Sequence, residues 1–432
     1  PWYTLSTVDT FHLGTPEAGS GTNNHVNKTD PPYIEITTEH SLGITTTYTP
    51  DNRTEFGLPY TSGKNRSHMY IDRIEVLDES ARKYRVYFQD WDKIREKMTF
   101  LQKEKLPFIL GIPYWDRGEK SDGSGSIIVT NTTNFEMKNV NVWAATSFVF
   151  HMRNNYGDFH IVNCNITPEW GLEENDRAWA SQVDIFHLKE NRCKFVIEDC
   201  LLERANDDVF NLSTTYLYVD RVYGDKEFNM YCREFDGTYY MELKEGDTIT
   251  LVNERTGAFV GRTRIKQVVE QNGATNRVIV EDSLALGGNI ADLAVYVDSL
   301  GQPDSIIRNC TIEGTYRFRT PITIEDCTLY TLYSWIDNIP QVEGPIPMDI
   351  TFQNCIFQAL KVDNREFCYM SPDYMMQLGT TCNIGSGVRP GYFAENIVFD
   401  NCVINPDEIN FMNNTADVSF RRAGREYYRV KP

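Results

Sequence analysis

The sequence predicts an all-β chain: a parallel β-helix into which a small antiparallel β-barrel is inserted. Three observations predict it. Six of the ten cysteines close the same short phrase, an alternating apolar stretch followed by Asn or Asp and then Cys. A second strand phrase recurs at a fixed distance from the first. The phrases stop in mid-chain, where a stretch of different character intervenes, and then resume.

Residues 1–134 hold strand-like pieces ("YIEITT", "YRVYF"), one helical segment ("WDKIREKMTFLQKEK") and a Gly/Ser loop ("GEKSDGSGS"). They read as early coils with excursions. The repeat itself then follows. Its copies are "FHIVNC" ending at Cys164, "FVIEDC" at Cys200, "SIIRNC" at Cys310, "ITIEDC" at Cys327, "ITFQNC" at Cys355 and "IVFDNC" at Cys402, with "FEMKNV" at Val140 as a seventh carrying Val for Cys. Alternation with period two means strands. Asn or Asp before the Cys marks a bend whose polar side chain can hydrogen-bond the turn backbone.

The second phrase is "FVFH" at 148–151 and "DIFH" at 184–187; Phe150 precedes Cys164 by 14 residues, as Phe186 precedes Cys200. Several short strands per turn of about 20–30 residues are the signature of a parallel β-helix, in which equivalent residues stack one strand spacing apart. The cysteines then form a ladder of small buried thiols inside the solenoid.

Between about 220 and 300 the chain reads "MELKEGDTITLV", "GAFVGRTRIKQVVE" and "RVIVEDSLAL", split by "NERTG" and "QNGATN" turns. That is the pattern of a small antiparallel barrel. The expected layout is a first solenoid part over 1–219, the barrel over 220–300, and a second solenoid part over 301–432 that ends in a capping tail from 405.

The formal net charge of −19 argues against nucleic acid or an anionic membrane surface as the main partner. No apolar run is long enough to span a membrane. The opening "PWYTLSTVDT" has neither the charged nor the apolar region of a signal peptide, so one has been removed or none existed. Ten cysteines in 432 residues is not a disulfide scaffold, no CxxC pair occurs, and the seven histidines show no HExxH or HxH spacing. A Cys/His zinc site is not expected, and neither is any other metal or cofactor.

Within the repeat, "VDIFHL" (183–188) and "DDVFNL" (207–212) are variants of one phrase, with Asp184 matching Asp208 and His187 matching Asn211 at an interval of 24 residues. One coil apart, the two carboxylates would stack about 5 Å from each other. Like charges so close are costly, so stability gives no reason for them. Three readings compete: a structural polar ladder on the outside of the solenoid, a calcium site, and a hydrolytic site in which clustered carboxylates split their pKa values into an acid and a base. The hydrolytic reading is preferred. Asp207 sharpens it, because a bend at the strand start lets a third carboxylate reach the same cleft from another angle. The stacked pair can hold a water while Asp207 protonates a glycosidic oxygen; an inverting pair needs about 6.5–9.5 Å for that water. The loop before Asp184, "EWGLEENDRAW", supplies Trp170, Arg177 and Trp179 for sugar faces and hydroxyls, or simply packs onto the solenoid.

The segments "DRAWASQVDIFH" and "RANDDVFN", with Asp207 following Asp184 by 23 residues and a barrel after the Asp-Asp strand, resemble glycoside hydrolase family 110. The specific motifs lie within about 175–215. The resemblance implies a right-handed parallel β-helix and an exo-acting, inverting, metal-independent enzyme that removes terminal α-1,3-linked galactose. It carries Asp184, Asp207 and Asp208 over as the catalytic group; Arg177, Trp170, Trp179, His187 and Asn211 are the expected substrate contacts. The chain departs from the family at Leu212, Ser213 and Thr214, where Val-His-Gly is usual, and in the order of aromatic and His in "DIFHL". A modified or differently linked galactoside is the implied consequence.

The runner-up is another β-helix polysaccharide hydrolase, polygalacturonase-like or carrageenan-active. Polygalacturonases share the spacing of a lone Asp and a later Asp-Asp but carry Gly-His-Gly, which is missing here; "RIK" at Arg264–Lys266 lies in the barrel segment. A non-catalytic glycan-binding solenoid would keep the aromatics without needing three carboxylates. The expected partner is an oligosaccharide or polysaccharide and the expected location secreted or periplasmic, with the oligomeric state open.

Overall fold

The computed structural model describes residues 3–12, 14, 29–38, 41–42, 44–47, 54–57, 67–69, 71–88, 108–111, 125–143, 145, 147–168, 180–181, 183–232, 241–272, 275–284, 286, 289–331, 334–337, 343–359, 375–379, 393–413 and 415–431. Among these, regular structure is β-strand apart from one-turn 3-10 segments. No helix among them is long and apolar enough to cross a membrane.

From Gly125 onward the chain visits three sheet faces in turn and returns one strand further along each time. The first face is built from Thr133–Lys138, Tyr156–Val162, Lys194–Glu198, Ser305–Arg308, Ile322–Glu325, Met348–Gln353, Ala394–Asp400 and Ala416–Arg422, all paired parallel. The second is short: Asn141–Val142, Asn165–Ile166, the start of Leu201–Thr215, the start of Thr311–Phe318, Thr328–Thr331 and Ile356–Ala359. The third carries Gly125–Thr130, Phe148–Arg153, Phe186–Lys189, the end of Leu201–Thr215, the end of Thr311–Phe318, Ser334–Asp337, Met376–Gly379 and Ile409–Met412. This is a three-sided parallel β-solenoid.

The repeated Asn/Asp–Cys phrase makes the corner between the first and second faces. The residue before each cysteine is left-handed: Asn163 (φ 51°), Asp199 (57°), Asn309 (52°), Asp326 (53°), Asn354 (54°) and Asn401 (54°), with Asn139 (58°) before Val140. Asn and Asp tolerate that region better than other side chains. Their side chains also bond from coil to coil: Asn163 Nδ2 donates to Asn139 Oδ1 at 2.6 Å, Asn354 Nδ2 to Asp326 Oδ1 at 3.0 Å, and Asn401 Nδ2 to Asn354 Oδ1 at 3.3 Å. The sequence therefore chooses Asn or Asp for backbone conformation as well as for bonding. Behind them the cysteines point inward. Cys164, Cys200, Cys310, Cys327 and Cys355 are at most 3% exposed, and each thiol lies near the carbonyl two residues back, as Cys200 Sγ does at 3.2 Å from Glu198 O. Burial raises the Cys164 thiol above its ordinary value, which suits an inert packing role.

Aromatic rings stack through the core in the same rhythm. Phe150 and Phe186 lie 4.6 Å apart between centroids at 2°, and Phe186 and Phe210 4.9 Å apart at 5°. Such contacts add to plain area burial.

Six strands form a closed antiparallel barrel inserted in the solenoid: Leu217–Gly224, Glu227–Tyr231, Thr248–Asn253, Phe259–Gln271, Thr275–Val280 and Leu293–Val297. It has its own core, including Phe228, Met230, Ile249, Leu251 and Val295. Arg192 of the solenoid pins it by pairing with Asp247 and donating to Ser299 Oγ at 2.8 Å.

Two regions differ from expectation. The described strands between Tyr3 and Gly111 are not early coils; they form one seven-stranded antiparallel sheet. No Asn/Asp–Cys corner phrase occurs there, so nothing turns the chain into a coil. The helical segment at 91–105 and most of the Gly/Ser loop lie outside the described residues. At the other end, the tail beyond 405 supplies one more coil, and Arg425–Val430 closes the first face by pairing antiparallel with Ala416–Arg422. An antiparallel turn-back blunts an edge open to further pairing.

Asn354→Val is expected to destabilise the protein by about 2–3 kcal/mol, from left-handed strain on a β-branched residue and loss of two ladder bonds. Asn354→Gly, which relieves the strain, should cost about 1 kcal/mol. Urea denaturation of both variants checks this; equal losses would mean that the backbone conformation contributes nothing.

Candidate active site

The register places the aspartates as the spacing predicted. Phe186 pairs with Phe210 and His187 with Asn211, so Asp184 stands one coil from Asp208 at the start of the third face. Ile185 N–H donates to the Asp208 carbonyl at 2.9 Å, which fixes that step. Asp207 arrives by a different route. Between Glu203 and Asp208 the strand advances five residues while its partner advances only two, from Glu313 to Thr315. This bulge, with Arg204 left-handed at φ 55°, turns Asp207 toward its neighbours. One carboxylate oxygen from each of Asp184, Asp207 and Asp208 lies within 4.8 Å of the others. Asp184 and Asp208 are buried, at 3% and 1% exposed, and Asp207 is half-buried.

Each buried carboxylate is held on two sides. Asp184 Oδ2 lies 2.7 Å from His187 Nδ1, and its Oδ1 accepts the Asp208 N–H at 3.3 Å. An ionised carboxylate only accepts, so it sets the His187 proton on Nδ1. Asp208 Oδ2 pairs with Arg317 Nε at 3.0 Å. The Thr315 hydroxyl is 2.9 Å from Asp208 Oδ1 and 3.0 Å from the Asp207 carbonyl; with one proton it donates to one of them at a time. The trio is thus oriented by His187 on the earlier coil and by Thr315 and Arg317 on the later one.

His187 and Asn211 belong to one row across the third face, His151–His187–Asn211–Arg317. Asn211 Oδ1 accepts from Ser213 Oγ at 3.1 Å. Trp170, Arg177 and Trp179 lie outside the described residues. Three site residues escaped the sequence reading: Thr315, Arg317 and His151. His151 had a signal, since "FVFH" repeats "DIFH". Its ring is 2% exposed, 5.4 Å from the His187 ring and 5.3 Å from that of Phe148.

The aspartate trio is the one group among the described residues whose donor atoms could converge on a cation. Arg317 already sets a positive charge against Asp208, which weakens the pull of the trio on a divalent ion. The described cavity of about 670 Å³ is elsewhere, between barrel and solenoid, lined by Phe259, Arg262, Tyr296, Asp298, Arg319 and Glu395 among others. The convergence of three carboxylates with oriented partners is the stronger chemical indication.

Burial, then the charges of Arg153 and Lys189, lower the His151 pKa to about 4 from an ordinary 6.5. Below pH 6.5 the unfolded chain binds a proton there that the folded chain does not. Folding stability is therefore lost as pH falls from about 6.5 to 4, by roughly 3 kcal/mol for this group, and is unaffected above 6.5. His151→Phe is expected to remove that loss. Unfolding free energies of both proteins at pH 7 and pH 4.5 check it; an equal acid loss in the two would contradict it.

No protein-family model matches the chain, and no curated protein matches it. Among solved structures, the tailspike protein gp49 from Pseudomonas phage LKA1 is similar at 14% identity with a TM-score of 0.20. That match covers 68% of this chain and 49% of the tailspike chain, so the chain spans about half the tailspike's length, and a likeness so slight bears on neither fold nor function.

Proposed function

We propose that the chain is a glycoside hydrolase acting at Asp184, Asp207 and Asp208, and specifically an exo-acting, inverting enzyme that releases terminal α-linked galactose, α-1,3-linked or modified, from a glycan. The observation that carries the hydrolytic reading is the convergence of three carboxylates, two of them buried, within 4.8 Å of one another. The galactoside, the inverting outcome, the right-handed winding and a secreted or periplasmic location rest on the resemblance to glycoside hydrolase family 110.

In this reading Asp184 and Asp208, stacked and each oriented by a cationic or imidazole partner, hold the attacking water and take its proton. The water oxygen bonds the anomeric carbon as the bond to the leaving oxygen breaks. Asp207, brought in by the bulge, gives its proton to that oxygen. The products are a free sugar and a shortened glycan.

One distance favours a second reading. Oxygens within 4.8 Å are closer than the spacing of an inverting acid and base and near the roughly 5 Å of a retaining pair. A retaining enzyme would use Asp184 or Asp208 as nucleophile through a covalent glycosyl intermediate.

Asn substitution of Asp184, Asp207 or Asp208 is expected to lower turnover at least about 100-fold with the fold intact, and Asp207→Asn should lose far less on an activated aryl galactoside than on a natural disaccharide. Chromogenic and natural α-galactosides, assayed with and without EDTA, provide the test. Three variants with near-wild-type rates would move the site elsewhere, and activity lost to EDTA would put a cation among the aspartates. Proton NMR of the first-formed sugar should show β-galactose; initial α-galactose would establish the retaining reading.

A further inference from the structure

We infer that His151 is a substrate-contacting, specificity-determining residue that hydrogen-bonds hydroxyl groups of the neutral sugar unit seated against the carboxylates. The inference rests on the glycosidase reading above and extends it to a residue outside the acid–base trio. Two equivalent histidines, one coil apart, differ in one respect. His187 has its Nδ1 on Asp184 at 2.7 Å. Neither ring nitrogen of His151 has a hydrogen-bond partner among the described residues, although the residue is only 2% exposed.

A buried polar group without a partner is costly, and each such group needs an explanation. Stability does not supply one here. Phe148 touches both imidazoles, with centroids 5.3 Å from His151 and 4.3 Å from His187, and His151 pairs in register with Ile128 on the preceding coil. A phenyl ring would suit those surroundings better than an imidazole. The position points to the site: His151 pairs in register with His187, which holds Asp184. His151, Asp184 and Asp208 are alike closed to water.

The chemistry of the ring selects the ligand. Burial together with Arg153 and Lys189 keeps it neutral near pH 7. A neutral imidazole has one donor and one acceptor nitrogen. Two sugar hydroxyls, one accepting and one donating, match that pair; a carboxylate or sulfate offers only acceptors and leaves one nitrogen unmatched.

Calorimetric titration with galactose, glucose, mannose, N-acetylgalactosamine and galacturonate tests the inference on wild type, His151→Phe, His151→Gln and Asp208→Asn. At least one neutral sugar should bind wild type in preference to galacturonate. His151→Phe should weaken that sugar about 10-fold or more without lowering the melting temperature. His151→Gln, which keeps a donor and an acceptor, should stay within about 3-fold. A folded His151→Phe that binds as wild type does, or no neutral sugar binding wild type, overturns the inference. The hydrolytic reading fails separately: if sugar binding depends on His151 but no glycoside is turned over, the binding role stands and the enzyme does not. If glycosides are cleaved and Asp208→Asn is inactive while His151→Phe is unchanged, only the role of His151 falls.

Discussion

The coil-to-coil register of the parallel strands is the constraint to which the rest of this molecule answers. Each backbone step from one coil to the next sets equivalent side chains one strand spacing apart. That one rule stacks Phe150, Phe186 and Phe210 in the core, lines the cysteines behind the left-handed Asn/Asp corners, and sets Asp184 one coil from Asp208. Core and site are two sides of the same stacking. The Ile185 to Asp208 backbone bond that continues the ladder also carries the carboxylates toward each other.

Such a site is expensive for the fold, and the structure shows how the cost is offset. Two buried carboxylates one coil apart repel. His187 gives a hydrogen bond to one, while Arg317 and Thr315 hold the other. Removing one partner of a buried ion pair typically costs more than the pair contributes, so Arg317 is as much a structural requirement of the trio as a neighbour of it. The bulge at 204–207 is a local break in the ladder, and it brings in the third carboxylate. Regular stacking supplies two groups in like surroundings, whereas acid–base chemistry needs one in a different setting.

What could be read from the sequence follows from where the ladder is unbroken. Asp184 and Asp208 were legible because a single uninterrupted coil separates them and Phe186 matches Phe210 by eye. His151 was legible in principle, since it sits in "FVFH" opposite "DIFH". Thr315 and Arg317 were not. The barrel separates them from Asp208, and two register shifts, at the bulge and between Asp208 and Phe210, then change the pairing: Leu201 meets Thr311 at an interval of 110 residues, but Asn211 meets Arg317 at 106. Counting from the cysteines would have matched Asp207, not Asn211, with Arg317. The N-terminal antiparallel sheet was misread for a related reason: alternation identifies strands but not the direction of their partners, and the corner phrase that signals a coil is missing there. The three loop residues chosen for sugar contact, Trp170, Arg177 and Trp179, fall outside the described residues.

The most direct test of the account is a crystal structure of the Asp208→Asn protein with a bound oligosaccharide substrate. The account expects the scissile glycosidic oxygen within hydrogen-bond reach of Asp207, the anomeric carbon facing Asp184 and position 208, and the sugar hydroxyls near His151. An oligosaccharide seated instead in the cavity between barrel and solenoid, with the aspartates untouched, would contradict it.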